Sequence, residues 1–158
     1  MTDHTRQAPA STPKVSELPG LVGKDLGSSE WVTIEQRDID LFADATRDHQ
    51  WIHVDPIAAK DGPFGTTIAH GFFTLSLCPW LLAEVLQVPD ATSVVNYGLN
   101  KVRFPAPVPS GSRVRLSIRL NAAEAMDGGV QVALGMTFDI DGSERPACVA
   151  EMVIRYLS

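Results

Sequence analysis

The chain has 158 residues, 44% of them hydrophobic and 20% charged, with a formal net charge of -6 at pH 7. That length suits one domain with a sizeable core and is too short for two. The acidic balance argues against a nucleic acid or an anionic membrane as the main partner, and the longest apolar stretch, Leu75 to Leu82, is far below the length of a membrane span.

The first 15 residues are rich in Pro, Ser and Thr and lack the apolar run of a signal peptide, so residues 1–15 read as a flexible tail and 16–158 as the domain. Cys78 and Cys148 lie in apolar stretches whose spacing fits no metal site; they read as buried free thiols of a cytoplasmic protein.

Residues 30–34 are short and β-prone. Thr33-Ile34-Glu35-Gln36 matches a capping box and predicts a helix over about 35–47, with Ile39, Phe42, Ala43 and Thr46 on one face and Asp38, Asp40 and Asp44 outside. The segment Asp48-His49-Gln50-Trp51-Ile52-His53-Val54-Asp55 reads as a non-helical loop, and Pro56 is suited to begin a short helix. Gly62-Pro63-Phe64-Gly65 is a turn. His70 to Leu86 is apolar nearly all round and predicts a helix buried on most faces, kinked at Pro79 or broken near Ser76.

From Thr92 the texture changes to strand. Residues 93–104, 113–121, 129–140 and 145–156 are rich in β-branched and aliphatic residues, separated by 105–111, Asp127-Gly128-Gly129 and Asp141-Gly142. Arg113 to Leu120 alternates polar and apolar strictly, as a strand with one wet and one buried face does. The Asp-Gly pairs predict antiparallel hairpins covered by the apolar 70–87 segment, an α+β architecture.

Three segments resemble the MaoC-like dehydratases and (R)-specific enoyl-CoA hydratases. Asp48, Ile52, His53 and Ala59 match the family's hydratase signature, with Gln50-Trp51 where Asn-Pro is more usual, as in a NodN-like subgroup. Ile68-Ala69-His70-Gly71 is similar to the family's start of the central helix. Val102 to Val108, with Gly111, is similar to its following strand and turn. The resemblance spans about residues 25–157. It implies a hot-dog fold, a long central helix wrapped by a curved antiparallel sheet and paired into homodimers. It also implies hydration of a (2E)-enoyl-CoA thioester to an (R)-3-hydroxyacyl-CoA, without a cofactor.

Such a hydration needs a base for water, an acid for the α-carbon and a donor to the enolate-like oxygen. Asp48 and His53 are the expected catalytic pair and the Gly71 N–H the expected oxyanion donor. From spacing alone, the commoner reading is that Asp48 caps or ends a helix and His53 is a satisfied, partly buried histidine; the resemblance turns the reading towards catalysis. Gln50 and His70 are expected to line the substrate site, although a histidine at a helix start is at least as commonly one hydrogen-bonded to a neighbour. Lys101, Arg103 and Arg113 are candidate contacts for the phosphates of coenzyme A, although solvated strand-face charge is the commoner role of such residues. Asp48, His49, His53 and Asp55 cluster as a metal site would, but no His-Glu-x-x-His pattern is present and Pro56 argues against a regular helix here, so no metal is expected. Phe72, Phe73 and Trp80 are expected to set pocket depth. Two other functions share the fold class: a hot-dog thioesterase, whose family places an acid on the central helix, and a non-catalytic acyl-thioester-binding module. Delivery by acyl-carrier protein instead of coenzyme A is left open.

Overall fold

Alternation of apolar and polar side chains builds the sheet. In the computed structural model, which describes residues 9–158, two short strands, β1 (Asp25–Ser28) and β2 (Val32–Thr33), precede four long ones. These are β3 (Ser93–Arg103), β4 (Arg113–Met126), β5 (Gly129–Ile140) and β6 (Cys148–Leu157). All pair antiparallel in one sheet of order β1-β4-β5-β6-β3, with β2 also on β4. Val114, Leu116, Ile118 and Leu120 of β4, and Val130, Val132, Leu134, Met136, Phe138 and Ile140 of β5, point to the core. Burying each such side chain contributes about 1.5–3 kcal/mol before the entropy of ordering the chain is set against it.

The apolar 70–87 segment covers this face as expected, but as two helices in place of one long one: α4 (Gly71–Ser76) and α5 (Cys78–Val85). Pro79 has no N–H to donate back to Leu75, and Leu77 N–H turns instead to Thr74 C=O at 3.2 Å. The break falls where Ser76 and Pro79 place it. Cys78, Leu81, Leu82 and Val85 face the core, but Phe72 and Trp80 are 69% and 44% exposed, so the segment is not buried all round.

Upstream, α1 (Gln36–Thr46) lies within the expected bounds without the expected capping box. Thr33 is committed to β2, and Glu35 at the cap makes no side-chain capping bond. Arg47, left-handed at φ 65, stops the helix and turns the chain towards Asp48. The loop that follows contains one helical turn, α2 (Trp51–Val54), where no helix was expected. Asp55 is extended and caps α3 (Pro56–Lys60), accepting from the Ile57 and Ala58 N–H groups at 3.0 Å each, with Pro56 opening the helix as expected.

Of the expected tail, residues 1–8 lie outside the described residues. Ala10 and Ser11 N–H groups donate to Glu84 and Val85 carbonyls at 3.2 and 3.0 Å, and Val15 is buried in a 3-10 helix, Val15–Leu21. Both cysteines are free and buried. Cys78 Sγ lies 3.1 Å from Met136 Sδ, and burial pushes the Cys78 and Cys148 thiols up to about 12 and about 11. Among the described residues, no helix is long and apolar enough to cross a membrane.

Candidate active site

Asp48 precedes α2, His53 sits inside it and His70 caps α4, so three separate chain segments meet at one point. One oxygen of Asp48 and one nitrogen from each histidine lie within 4.8 Å of one another. Two hydrogen bonds of about 2.8 Å to a single water span a separation of that size. His53 and His70 are 7% and 3% exposed, whereas the Asp48 side chain is 56% exposed. The carboxylate faces solvent and the imidazoles lie beneath it.

Backbone carbonyls fix the state of both rings. His53 Nδ1–H donates to Ile68 C=O at 2.7 Å, which leaves Nε2 as a bare acceptor. Burial pushes the His53 imidazole below its ordinary value of 6.5; the Ile68 bond opposes this, and the neighbouring His70 reinforces it. His70 Nε2–H donates to Asp48 C=O at 3.0 Å. The two rings are stacked, with centroids 3.8 Å apart and planes tilted by 24°.

Backbone bonds strap the segments in place. Ile68 N–H donates to Ile52 C=O at 3.0 Å, and Ala69 N–H to Val108 C=O at 2.8 Å. Two residues missing from the sequence reading complete the strap. Gln36, the first residue of α1, donates through Nε2 to His53 C=O at 2.7 Å, and the buried Thr67 hydroxyl donates to its Oε1. Gln36 and His53 are 17 residues apart and Thr67 is 31 from Gln36, separations that leave no local pattern in a sequence.

Gly71 opens α4, ahead of that helix's first backbone bond, Thr74 N–H to His70 C=O at 3.2 Å; its N–H therefore has no partner within the helix. The Phe104 ring lies against it, since a Cβ at Gly71 would stand 2.9 Å from Phe104 Cγ. Phe104 in turn meets Phe72 edge to face at 5.9 Å. Phe73 packs on Phe42 at 5.5 Å, inside the cluster that also holds His70 against Phe42 at 5.0 Å. Gln50 caps α2 and is exposed, with its backbone N–H 3.4 Å from Asp48 Oδ1. Trp51 covers the Gly62 turn.

The basic residues do not gather at this point. Lys101 and Arg103 line a groove of about 670 Å³ that also includes Ser117, Arg119, Gly135, Thr137 and Glu151 and none of Asp48, His53, His70 or Gly71. Within it the Glu151 carboxylate accepts from Asn100 and Asn121 at 2.8 Å each, and these bonds hold its pKa below the ordinary range. Arg113 pairs with Asp141 at the start of β4.

The Asp48, His49, His53 and Asp55 cluster is divided in the fold. His49 donates to Asp44 at 2.8 Å and Asp55 caps α3, so neither joins Asp48 and His53. An imidazole nitrogen holds zinc in its ring plane at about 2.1 Å. The planes of His53 and His70, stacked 3.8 Å apart and tilted by 24°, converge well beyond that distance. This geometry suits a water held by Asp48 and His53 better than a shared metal ion.

Comparison with known proteins bears on this arrangement. The profile described as MaoC like domain matches residues 17–138. The chain is 54% identical over 145 residues to 3-hydroxyacyl-thioester dehydratase Z of Mycobacterium tuberculosis, covering 91% of this chain and 96% of that one. It is 44% identical over 142 residues to Nodulation protein N of Rhizobium leguminosarum, covering 88% of each. Its fold is similar to that of the unliganded R-hydratase of Pseudomonas aeruginosa, with a TM-score of 0.71 at 23% identity, over 87% of this chain and 82% of that one. With its sheet wrapped on α4 and α5 as a hot-dog fold, the chain belongs to the MaoC-like dehydratase family.

Proposed function

We propose that the protein is a hydro-lyase that adds water reversibly to a (2E)-enoyl thioester, giving an (R)-3-hydroxyacyl thioester. The observation that carries this reading is the meeting of the Asp48 carboxylate and a ring nitrogen of His53 within 4.8 Å, a separation one water can bridge, while Ile68 C=O holds Nδ1–H and leaves the ring a basic nitrogen. The pair orients the water and removes its proton as the oxygen attacks the β-carbon. Electrons move onto the thioester oxygen, where the Gly71 N–H stabilises the enolate, and the pair returns a proton to the α-carbon. Water is thereby added across the double bond with no oxidant, reductant or cofactor. The (R) outcome and the thioester class rest on the names of the relatives and on the resemblance.

The substrate is carried by coenzyme A or acyl-carrier protein, in the cytoplasm, within fatty acid metabolism. A homodimer fits the sheet's free edge: among the described residues β3 pairs only with β6, and its Val94, Val95, Tyr97 and Leu99 are all exposed. Gln50 lines the acyl-thioester site, and Lys101, Arg103 and Arg113 are retained only as candidate phosphate contacts, which their placement does not favour.

The test mixes the protein with crotonyl-CoA, without metal or nucleotide, and follows the enoyl-thioester absorbance together with free thiol. Loss of absorbance without thiol is the expected result. Thiol release would make the protein a thioesterase, and acyl-CoA binding without turnover would make it a binding module.

Two further outcomes follow from the geometry. Since His53 acts as a base only when neutral and burial lowers its pKa, the acid limb of kcat/KM is expected below pH 6.5. Stability shifts in the same direction: between the folded and unfolded pKa values the unfolded chain binds the proton better, so this contribution is present above about pH 6.5 and is lost as pH falls. An acid limb above 6.5 would remove His53 from the role. Gly71→Ala is expected to lower kcat about tenfold or more while leaving the fold intact. The new methyl would press on the half-exposed Phe104 ring, which can swing aside, but it would also crowd the amide that the thioester oxygen must reach. Unchanged kcat in a folded Gly71→Ala protein would exclude that amide as the donor.

A further inference from the structure

His70 was expected to line the substrate site, yet its ring has no atom free to meet a substrate. Nε2–H is engaged with Asp48 C=O at 3.0 Å, and Nδ1 is buried without a partner. A carbonyl only accepts, so Nε2 carries a proton and directs it at Asp48, whose Oδ2 also lies 4.0 Å from the same nitrogen.

What His70 touches is the catalytic pair itself. Its Nε2–H grips the backbone of Asp48, and its ring face lies on the His53 imidazole. The pocket around it is closed by Phe42, 5.0 Å away, which packs on Phe73 of α4. Asp48 is otherwise loosely held: it follows the left-handed Arg47, its side chain is 56% exposed, and its Oδ1 meets only the Gln50 N–H, at 3.4 Å.

We propose that His70 is a positioning residue for the hydration, a clamp that fixes the distance between the Asp48 carboxylate and the His53 imidazole by bonding to the backbone of one and stacking on the ring of the other. This rests on the reading of Asp48 and His53 as the water-activating pair. A displacement of about 1 Å between such groups can cost on the order of a hundredfold in rate without weakening substrate binding, so the clamp acts on kcat and leaves KM alone.

The test compares His70→Phe, which keeps a ring to stack and loses the donor, with His70→Gln, which keeps a donor for Asp48 C=O, both assayed with crotonyl-CoA. His70→Phe is expected to lower kcat about tenfold or more, with KM within about twofold, and His70→Gln to recover most of that loss. If His70→Phe does not fold, His70→Asn, whose side chain is too short to reach the carbonyl, takes its place against His70→Gln. A wild-type kcat in the donor-less variant overturns the clamp, and so does a raised KM at unchanged kcat, which would make His70 a substrate contact. Asp48→Asn and His53→Gln run in the same assay keep the two ideas apart: activity surviving in them refutes the catalytic pair, whatever His70 does.

Discussion

Replacing His53 by Gln is expected to lower kcat/KM for crotonyl-CoA hydration by roughly 100- to 10,000-fold, with a comparable loss in Asp48→Asn. The two losses should not add in the double variant. In the proposed mechanism His53 and Asp48 act on one water, so once either fails to hold it, the other has nothing to act on. Glutamine can still occupy the His53 cavity and donate to Ile68 C=O, but it offers no basic nitrogen, so the effect should fall on catalysis and not on folding. Asparagine keeps the shape of Asp48 and, because that side chain is 56% exposed, should leave stability within about 0.5 kcal/mol. Steady-state rates with thermal unfolding as a control decide the matter. A variant that remains folded with a rate within about threefold of wild type would show that its side chain does not activate the water.

The largest expected effect on stability lies far from this site. Gly129 begins β5 directly after the Asp127-Gly128 turn and pairs with both Met126 of β4 and Leu157 of β6. A Cβ there would stand 2.1 Å from Tyr156 C=O and 3.0 Å from Leu157 Cα. Both are backbone atoms in a paired strand, so no side chain can swing aside and the ladder itself must open. Gly129→Ala should therefore cost about 2–3 kcal/mol, near the top of the range for overpacking. For a domain of this size that lowers Tm by roughly 5–10 °C. Gly20→Ala is the control, since nothing lies within 4 Å of its added Cβ. Equal Tm values for the two variants would mean that the β5–β6 ladder yields at little cost.

These two outcomes depend on different kinds of information in the sequence. The long strands were legible because their faces differ: the period of two runs through Gly129 to Ile140, and β5 has those bounds. By contrast β1, Asp-Leu-Gly-Ser, is too short for a period and carries a register shift between Asp25 and Gly27. The 3-10 helix at Val15–Leu21 contains Pro19, which reads as a breaker. The capping box failed for a reason outside its four residues, because Thr33 is drawn into pairing with Arg113 and cannot turn back to cap α1. In the site, Asp48 and His53 stood out through their resemblance to a known signature. Gln36 and Thr67 did not, since their bonds join segments that only the finished fold brings together. His70 was visible at the start of α4, but its bond to Asp48 C=O, 22 residues upstream, left no trace in the local pattern.

The depth at which the cysteines lie has a practical side. Only a thiolate reacts with alkylating or disulfide reagents, and a thiol pushed up to about 12, as Cys78 is, holds roughly one part in ten thousand as thiolate at pH 8. Cys148, at about 11, holds roughly ten times as much thiolate, still a minute fraction, and is likewise buried. The folded enzyme is therefore silent to thiol dyes, and any colour that develops with crotonyl-CoA comes from released coenzyme A. The same silence makes the two sulfurs a clock for the core. In the absence of substrate, slow labelling would count the openings of the space between α5 and the sheet, with no residue changed to make the measurement.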